Sequence, residues 1–579
     1  MKKTIIIIVA AIAVSSQLPV VSTASAQNDN IYNESVVVKG SYTPVIEQSE
    51  KLYFPAQITD TLSRIEHSFQ YSITPTRLRA SYEPTRIRAA RIVGEPATKL
   101  YNNYLRLGMG NYWSPLADLY WCSTRDMLKT YGVRVNHRSS WDKLPDYGPN
   151  HFGQTDITLF GKYIIGERLQ LHTDLGYEHD HNLYYGFTDS TLQAILNRTR
   201  NDISTHDYVA SYNLATWNVG VRNMELDARK LGYSANLHFS DLWGKWGQNE
   251  MNLNLGGDVH YGFNIANQYK GIAYLRAEWD FYRNGQPDST HTMPLGCPIA
   301  FSGGVSTGNI LKVNPYVDFL FRGLQFRTGL LVGQDSYSYG GTSPKARIYP
   351  DVTVTKKFFK DNLVLSLAAT GGIDAVSHNA LRLVNPYINP LSGGQRATSH
   401  YDFVFHARHS FSRKLEANAE VSYSLLKNDF TFELHPLSQL GNIYEPVYLD
   451  DNRLTVGADI AFVNDELITL RAGGHYYHYD VDISYRPDWD ALVSVDLNYR
   501  YKWMFHLEGQ LLGRVQDGAG NTLPMRYGIN AEVEYRHNRA LSFFLKMDNL
   551  AFQRYWYWVN YPSQRGLFIL GLTYTIPHK

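Results

Sequence analysis

From about Lys99 to Ile576, apolar and polar residues alternate with a period of two, the spacing of a β-strand with two unlike faces. Between Ala491 and Tyr501 one side reads Ala491, Val493, Val495, Leu497, Tyr499, Tyr501 and the other Ser494, Asp496, Asn498, Arg500. The split recurs from Tyr527 to Arg536, where Tyr527, Ile529, Ala531, Val533 and Tyr535 oppose Gly528, Asn530, Glu532, Glu534 and Arg536. A charged face turned to hydrocarbon would cost about 2–4 kcal/mol for each midplane Arg or Lys. The apolar set is therefore expected to meet lipid, and Asp496, Arg500, Glu532 and Glu534 to line a wet or protein-filled lumen.

The connections between segments are alternately short and long. Ser123 to Asp126, Gly166 to Arg168, Arg322 and Gly323, Ser412 to Lys414, Asn464 to Glu466, Tyr501 to Trp503 and His537 to Arg539 read as periplasmic turns. Ser139 to Gly153, His179 to Asp207, Arg283 to Gly304, Val376 to Ser399 and Asp429 to Asp451 read as outward loops. The pattern predicts an all-β fold, a transmembrane antiparallel barrel of about 20–22 strands, spanning residues 99–579. An even count returns both ends to the periplasm. The segments near Tyr208 to Asn223 and Ile299 to Gly304 are the weakest. A soluble sandwich or propeller would share the alternation, but not the loop-length asymmetry, nor the aromatics Tyr555, Trp556, Tyr557 and Trp558, which read as an interface belt.

Composition fits a barrel better than a soluble enzyme: of 579 residues 14% are aromatic, 43 are Tyr and only 19% are charged. Mean hydropathy is negative, as expected when half of each wall is wet. A net charge of +1 gives no electrostatic reason to bind nucleic acid. Lys2 and Lys3, the apolar run Ile5 to Val14 and the small residues Ala24, Ser25, Ala26 read as a signal peptide, residues 1–26, cleaved before Gln27. After it no run of about 18 apolar residues occurs, so spanning has to be done by strands. Cys122, in a strand, and Cys297, in an outward loop, are expected as separate thiols, although export would permit a bridge.

Candidate chemistry is sparse. Glu178, His179, Asp180 and His181 form the densest group of metal-type ligands, with His179 and His181 on one side of an extended chain. The expected reading is nonetheless a solvated outward loop, with no metal bound. His475 and His478 differ in parity and are expected to face the lumen and the membrane interface. No nucleophile motif, glycine-rich phosphate loop or Cys/His metal spacing is present, so neither an enzyme nor a cofactor is expected.

The last two segments carry a resemblance. Met547, Asp548, Asn549, Leu550, Ala551, Phe552, Gln553, Arg554, Tyr555, then Pro562, Ser563, Gln564, Arg565, Gly566 and the run Leu567 to Tyr574, resemble the closing hairpin of TonB-dependent receptors. The order Arg565, Gly566 inverts the family's usual Gly-Arg, and Pro577, His578 and Lys579 extend past the terminal aromatic. The resemblance implies a 22-stranded barrel in the outer membrane of a Gram-negative cell, with both termini in the periplasm. It also implies TonB-driven uptake of a scarce solute. Such receptors carry a plug before the barrel, whereas residues 27–98 lack its arginine-glycine signature and strands, so a short member without the usual plug is expected.

Residues 27–98 read as an extended arm, periplasmic or threading the lumen, punctuated by Pro44, Pro55, Pro75, Pro84 and Pro96. Arg77, Arg79, Arg86, Arg88 and Arg91 make its second half basic and could contact acids of the lumen wall or a partner. Ser35, Val36, Val37 and Val38 resemble the family's TonB-contacting strand, which works by adding itself to a partner's sheet. The expected partners are outer-membrane lipid, TonB or another envelope protein, and a solute the sequence does not name. Two functions remain open: a barrel that moves a solute across the outer membrane, and a non-transporting barrel subunit of an assembly or export complex.

Overall fold

The computed structural model describes residues 100–578 apart from 124–125, 127, 167, 225–229, 266–268, 287–292, 298–303, 338–344, 391, 393–395 and 465–466. The expected signal segment and the arm, with Ser35, Val36, Val37, Val38, Arg77, Arg79, Arg86, Arg88 and Arg91, lie outside the described residues.

Twenty-two strands form one antiparallel sheet, and the sheet closes because its first strand, Leu100–Gly110, pairs with its last, Leu567–His578. The closing register sets Leu107 against Leu572 and Leu100 against His578, so the residues after the terminal aromatic continue the last strand. Closure pairs the first and last strands and so removes the two outer edges an open sheet would expose to hydrocarbon.

The alternation sets the two faces. In the strand Trp489–Tyr499, Val493 and Tyr499 are exposed on the outside, while Asp490 and Ser494 are buried on the inside. In Arg526–Arg536, Tyr527 and Ile529 are exposed on the outside and Glu532 points inward. The weakly patterned segment is a full strand, Val209–Asn223, paired on both sides.

At one rim the connections are tight. Arg322 and Gly323 join two strands with φ of 49° and 74°, the left-handed pair that matches strand twist in a two-residue hairpin. At the other rim they grow to the long segments 184–208 and 377–395, which hold the helices α1 (Asp189–Leu196) and α2 (His378–Val384). Two outward connections, 111–113 and 245–248, are as short as the inner turns, so the length asymmetry belongs to the rim as a whole and not to every hairpin.

Three residue groups sit elsewhere than the alternation suggests. Glu178 to His181 lie within the strand Leu169–Leu183, which rises past the point where charged residues read as a loop. Arg500 is in a turn with φ of 54°, its guanidinium 5.0 Å from the centre of the Tyr499 ring, because the strand ends one residue earlier. Tyr555 to Trp558 belong to the last outward loop, where Trp556–Trp558 pairs with Tyr561–Pro562, and not to a belt on the wall.

Candidate functional site

The inward wall is charged and largely self-neutralised. Asp496 accepts hydrogen bonds from Arg471 (3.0 Å) and shares one with His506 (2.6 Å). Glu532 pairs with Arg106 at 2.7 Å, and that guanidinium lies 3.8 Å from the centre of the Phe544 ring. Glu534 has a looser ion pair with Arg536 at 3.8 Å. These three acids line one hollow together with Thr469, Asn498 and His506, so the structure brings them together and leaves Arg500 apart in its turn. Further pairs, Arg138–Asp548 at 2.9 Å and Arg327–Asp318 at 2.9 Å, continue the pattern round the ring. His475 also faces in, 3.0 Å from Asp490, while His478 has the opposite parity.

The metal-type cluster is divided by the strand that carries it. His179 and His181 share the face of the exposed Leu175 and Tyr177, with ring centres 6.0 Å apart. Glu178 and Asp180 turn inward to Arg382 of α2, which donates to Asp180 at 2.5 Å and to Glu178 at 3.1 Å. All three side chains are nearly out of contact with water. Asn379, one turn earlier, accepts from Arg382 Nε at 2.8 Å and holds the guanidinium in line.

Helix α2 forms here for local reasons. Ser377 caps it by accepting from the Ala380 N–H at 3.0 Å. Glu250, from the start of the strand Asn249–Ile265, accepts from the N–H groups of His378 (2.5 Å) and Asn379 (3.2 Å). A carboxylate at a helix N-terminus satisfies orphan donors and complements the dipole. The helix is thus tied at its start to one strand and by Arg382 to another.

The outward loops share one core. Leu144, Tyr184, Tyr185, Phe187, Leu192, Tyr208, Cys297, Leu381, Ile388, Leu440, Ile443, Tyr444, Tyr485 and Tyr561 pack together, drawn from seven connections and the strand ends beside them. Tyrosine dominates because each ring adds apolar area while its hydroxyl reaches a loop carbonyl. Tyr184 donates to Ile388 O (2.8 Å), Tyr185 to Pro562 O (2.9 Å), Tyr444 to Val559 O (2.8 Å) and Tyr561 to Asn442 O (2.5 Å). Tyr387 stacks on Tyr561 with centroids 3.5 Å apart. Asn442 is fully buried and donates to Tyr184 O (3.1 Å) and Leu295 O (2.9 Å). A second buried ion pair, Arg486–Asp429 at 2.6 Å, fixes the loop 480–488.

These links cross the mouth. Tyr184 follows the fifth strand and Asn442 precedes the sixteenth, Tyr444–Asn464, half-way round a ring of 22. A hydrogen bond between them bridges the outer opening, so the loops form a cap over the lumen.

Burial changes the chemistry of the cap. His378 is held neutral, its pKa pushed down to about 4 by burial and then by the Arg382 charge. The Cys297 thiol is pushed up to about 12 by burial and donates to Asn389 Oδ1 at 3.3 Å. Cys122 and Cys297 form no disulfide. Arg382, Tyr184, Asn442 and Tyr561 carry the arrangement, and none stands out in the sequence. The one visible signal was the Glu178 to His181 cluster, whose acids turn out to be anchors for an arginine.

No protein-family model and no curated protein matches this sequence. Solved structures match it by shape. The FrpB iron transporter of Neisseria meningitidis aligns with a TM-score of 0.61 at 8% identity, covering 82% of this chain and 81% of its own. The siderophore receptor PirA of Acinetobacter baumannii gives 0.60 at 10%, covering 82% and 80%. The closed form of the ferric-catecholate import receptor Fiu of E. coli K12 gives 0.57 at 11%, covering 82% and 81%. At these identities the likeness is one of architecture: the chain has the barrel fold of these iron and siderophore receptors.

Proposed function

We propose that this chain is an outer-membrane barrel related to TonB-dependent receptors, that a solute crosses its lumen, and that the outer cap is the gate. The observation that carries the reading is a charge-walled, closed ring of 22 strands whose outer mouth is bridged by interlocked loops. A subunit used only as a membrane anchor has no need of a mouth sealed from within its own chain. The fold is shared with a ferric-catecholate import receptor, so a ferric catecholate is the first solute to try.

Residues 27–98 have a part in this function as well. In the proposal this short arm stands in place of a plug, Ser35 to Val38 offer a strand to TonB, and Arg77, Arg79, Arg86, Arg88 and Arg91 seek acids of the wall. Asp496 and Glu532 already pair with Arg471, His506 and Arg106, so Glu534, with its loose partner, is the acid most open to them. The full chain, purified and placed in planar bilayers, is expected to conduct little, and cells expressing it to take up the iron chelate. Silence in both assays, with or without the cap intact, removes transport. Deleting residues 27–97 is expected to raise conductance. An unchanged conductance would mean the arm does not occlude the pore. A stoichiometric companion on affinity purification would instead favour the assembly role.

A further inference from the structure

One ladder in the ring stops half-way. The strands Lys345–Phe358 and Leu363–Val376 pair from Phe358 with Leu363 up to Val352 with Ala369, and no further. Both strands continue towards the outer rim, Lys345 to Asp351 paired with the strand before and Thr370 to Val376 with the strand after. No other neighbouring pair among the described residues leaves seven residues on each side without a cross-strand partner. Exposed Ile348, Leu330, Val332, Leu367 and Phe403 flank the break on the outside, so it opens on the acyl region of the membrane. Unpaired strand edges are costly in hydrocarbon and are normally removed by closure.

The local sequence explains the parting. Pro350 has no N–H to give to a ladder. Gly371 lets a ring lie against its backbone, since a Cβ there would meet Tyr349 Cδ1 at 2.9 Å and His400 O at 2.7 Å. Side chains stand where hydrogen bonds would be. Tyr349, Ile310 and Ile373 are fully buried together, Tyr349 Oη shares a hydrogen bond with Ser399 Oγ at 2.8 Å, and Tyr401 donates to Ile348 O at 3.1 Å. On the inner side Lys312 pairs with Asp374 at 3.2 Å, and Arg347 faces inward 3.7 Å from Asp335.

We infer that this seam is a side portal between the lumen and the outer leaflet, and that it admits the acyl chain of a membrane amphiphile. The apolar plug of Tyr349, Ile310 and Ile373 is replaceable by an alkyl chain without loss of buried apolar contact, which no hydrogen-bonded ladder would allow. The polar end of such a molecule would remain on the lumen side, among the ion pairs of Lys312 with Asp374 and Asp280 and of Arg347 with Asp335. The portal does not depend on the proposed iron solute and stands or falls by lipid alone.

The test places a photo-crosslinking amino acid at Ile310, behind the seam, at Leu367 on the lipid face, or at Asn254, inward and remote, in the full chain in native outer membrane. Lipid adducts are expected at 310 and 367 and not at 254. Adducts at 367 alone would overturn the portal, and adducts at all three would mean lipid fills the lumen by another route, which also overturns it. A lock supplies the second readout. Asp351→Cys with Thr370→Cys sets two thiols at the first positions past the last paired rung, Val352 with Ala369, where a disulfide would extend the ladder into the seam. Capture at 310 is expected to disappear on oxidation and return on reduction, with capture at 367 unchanged as proof that the barrel is still folded. Undiminished capture at 310 in the oxidised lock would refute the route.

Discussion

The two rims of the barrel solve the same problem, reversing a strand, in opposite ways. At the inner rim a turn such as Arg322–Gly323 is complete within two residues, and its geometry follows from left-handed backbone at both. At the outer rim a reversal such as 377–395 takes its shape from elsewhere, with α2 held by Glu250, Glu178 and Asp180. The wall and its turns are local structures that tolerate change. The cap is a set of long-range contacts in which one residue, Asn442, ties three other loops to its own.

That contrast predicts unequal mutational costs. The largest effect is expected for Arg382→Ala, which leaves Glu178 and Asp180 buried without their cation. Breaking a buried pair from one side costs about 3–5 kcal/mol. The cap should loosen, seen as raised single-channel conductance and faster proteolysis of the outer loops, while the heat-modifiable gel shift of the barrel persists. A variant as closed as the parent would show that Arg382 does not anchor the cap.

Next comes acid. The folded pKa of His378 is depressed to about 4 from an ordinary value of 6.5, so between these values the opened cap binds more protons than the closed one. Stability of the cap is therefore complete above about pH 6.5 and is lost as pH falls towards 4, by about 3 kcal/mol in all. Conductance of the full chain should rise across that window, and His378→Gln should flatten the rise. A pH profile identical in the variant would assign the sensitivity to another group.

Smaller still is Tyr561→Phe, which removes the hydrogen bond to Asn442 O but keeps the stack on Tyr387. A loss of about 1 kcal/mol is expected, visible as a modest increase in loop proteolysis. A loss several times larger would mean that the hydroxyl, and not the ring, organises the core. The smallest effect belongs to the wall: Asp496→Asn in a half-exposed cluster should change thermal stability of the barrel by about 0–1 kcal/mol. A fall comparable to that of Arg382→Ala would abolish the distinction between the two rims.

The wall was legible in the sequence because its cause is local. Side-chain parity assigned Tyr527 and Ile529 to the outside and Asp496, Glu532 and Glu534 to the inside, and turn residues marked Arg322 and Gly323. Parity failed where a strand ended, so Arg500 slipped into a turn. The cap was not legible, since its partners are far apart along the chain: Arg382 and Glu178 are 204 residues from each other, Tyr561 and Asn442 119. Tyr555 to Trp558 show the same limit, because an aromatic run suits a membrane interface and a loop core equally well. Charged neighbours misled in their own way: Glu178 to His181 look like one ligand group until alternate residues are sent to opposite faces of a wall.

Asn442 gives the cap a cooperative character. Through one buried amide and its carbonyl it touches the loops that follow the fifth strand, precede the tenth and close the barrel. Loops tied to a common hub do not swing aside one at a time, because freeing any of them strands polar groups of the others in an apolar core. Opening is then an all-or-none transition with a steep dependence on whatever ligand triggers it, and the conductance of single molecules should switch between two levels with few between.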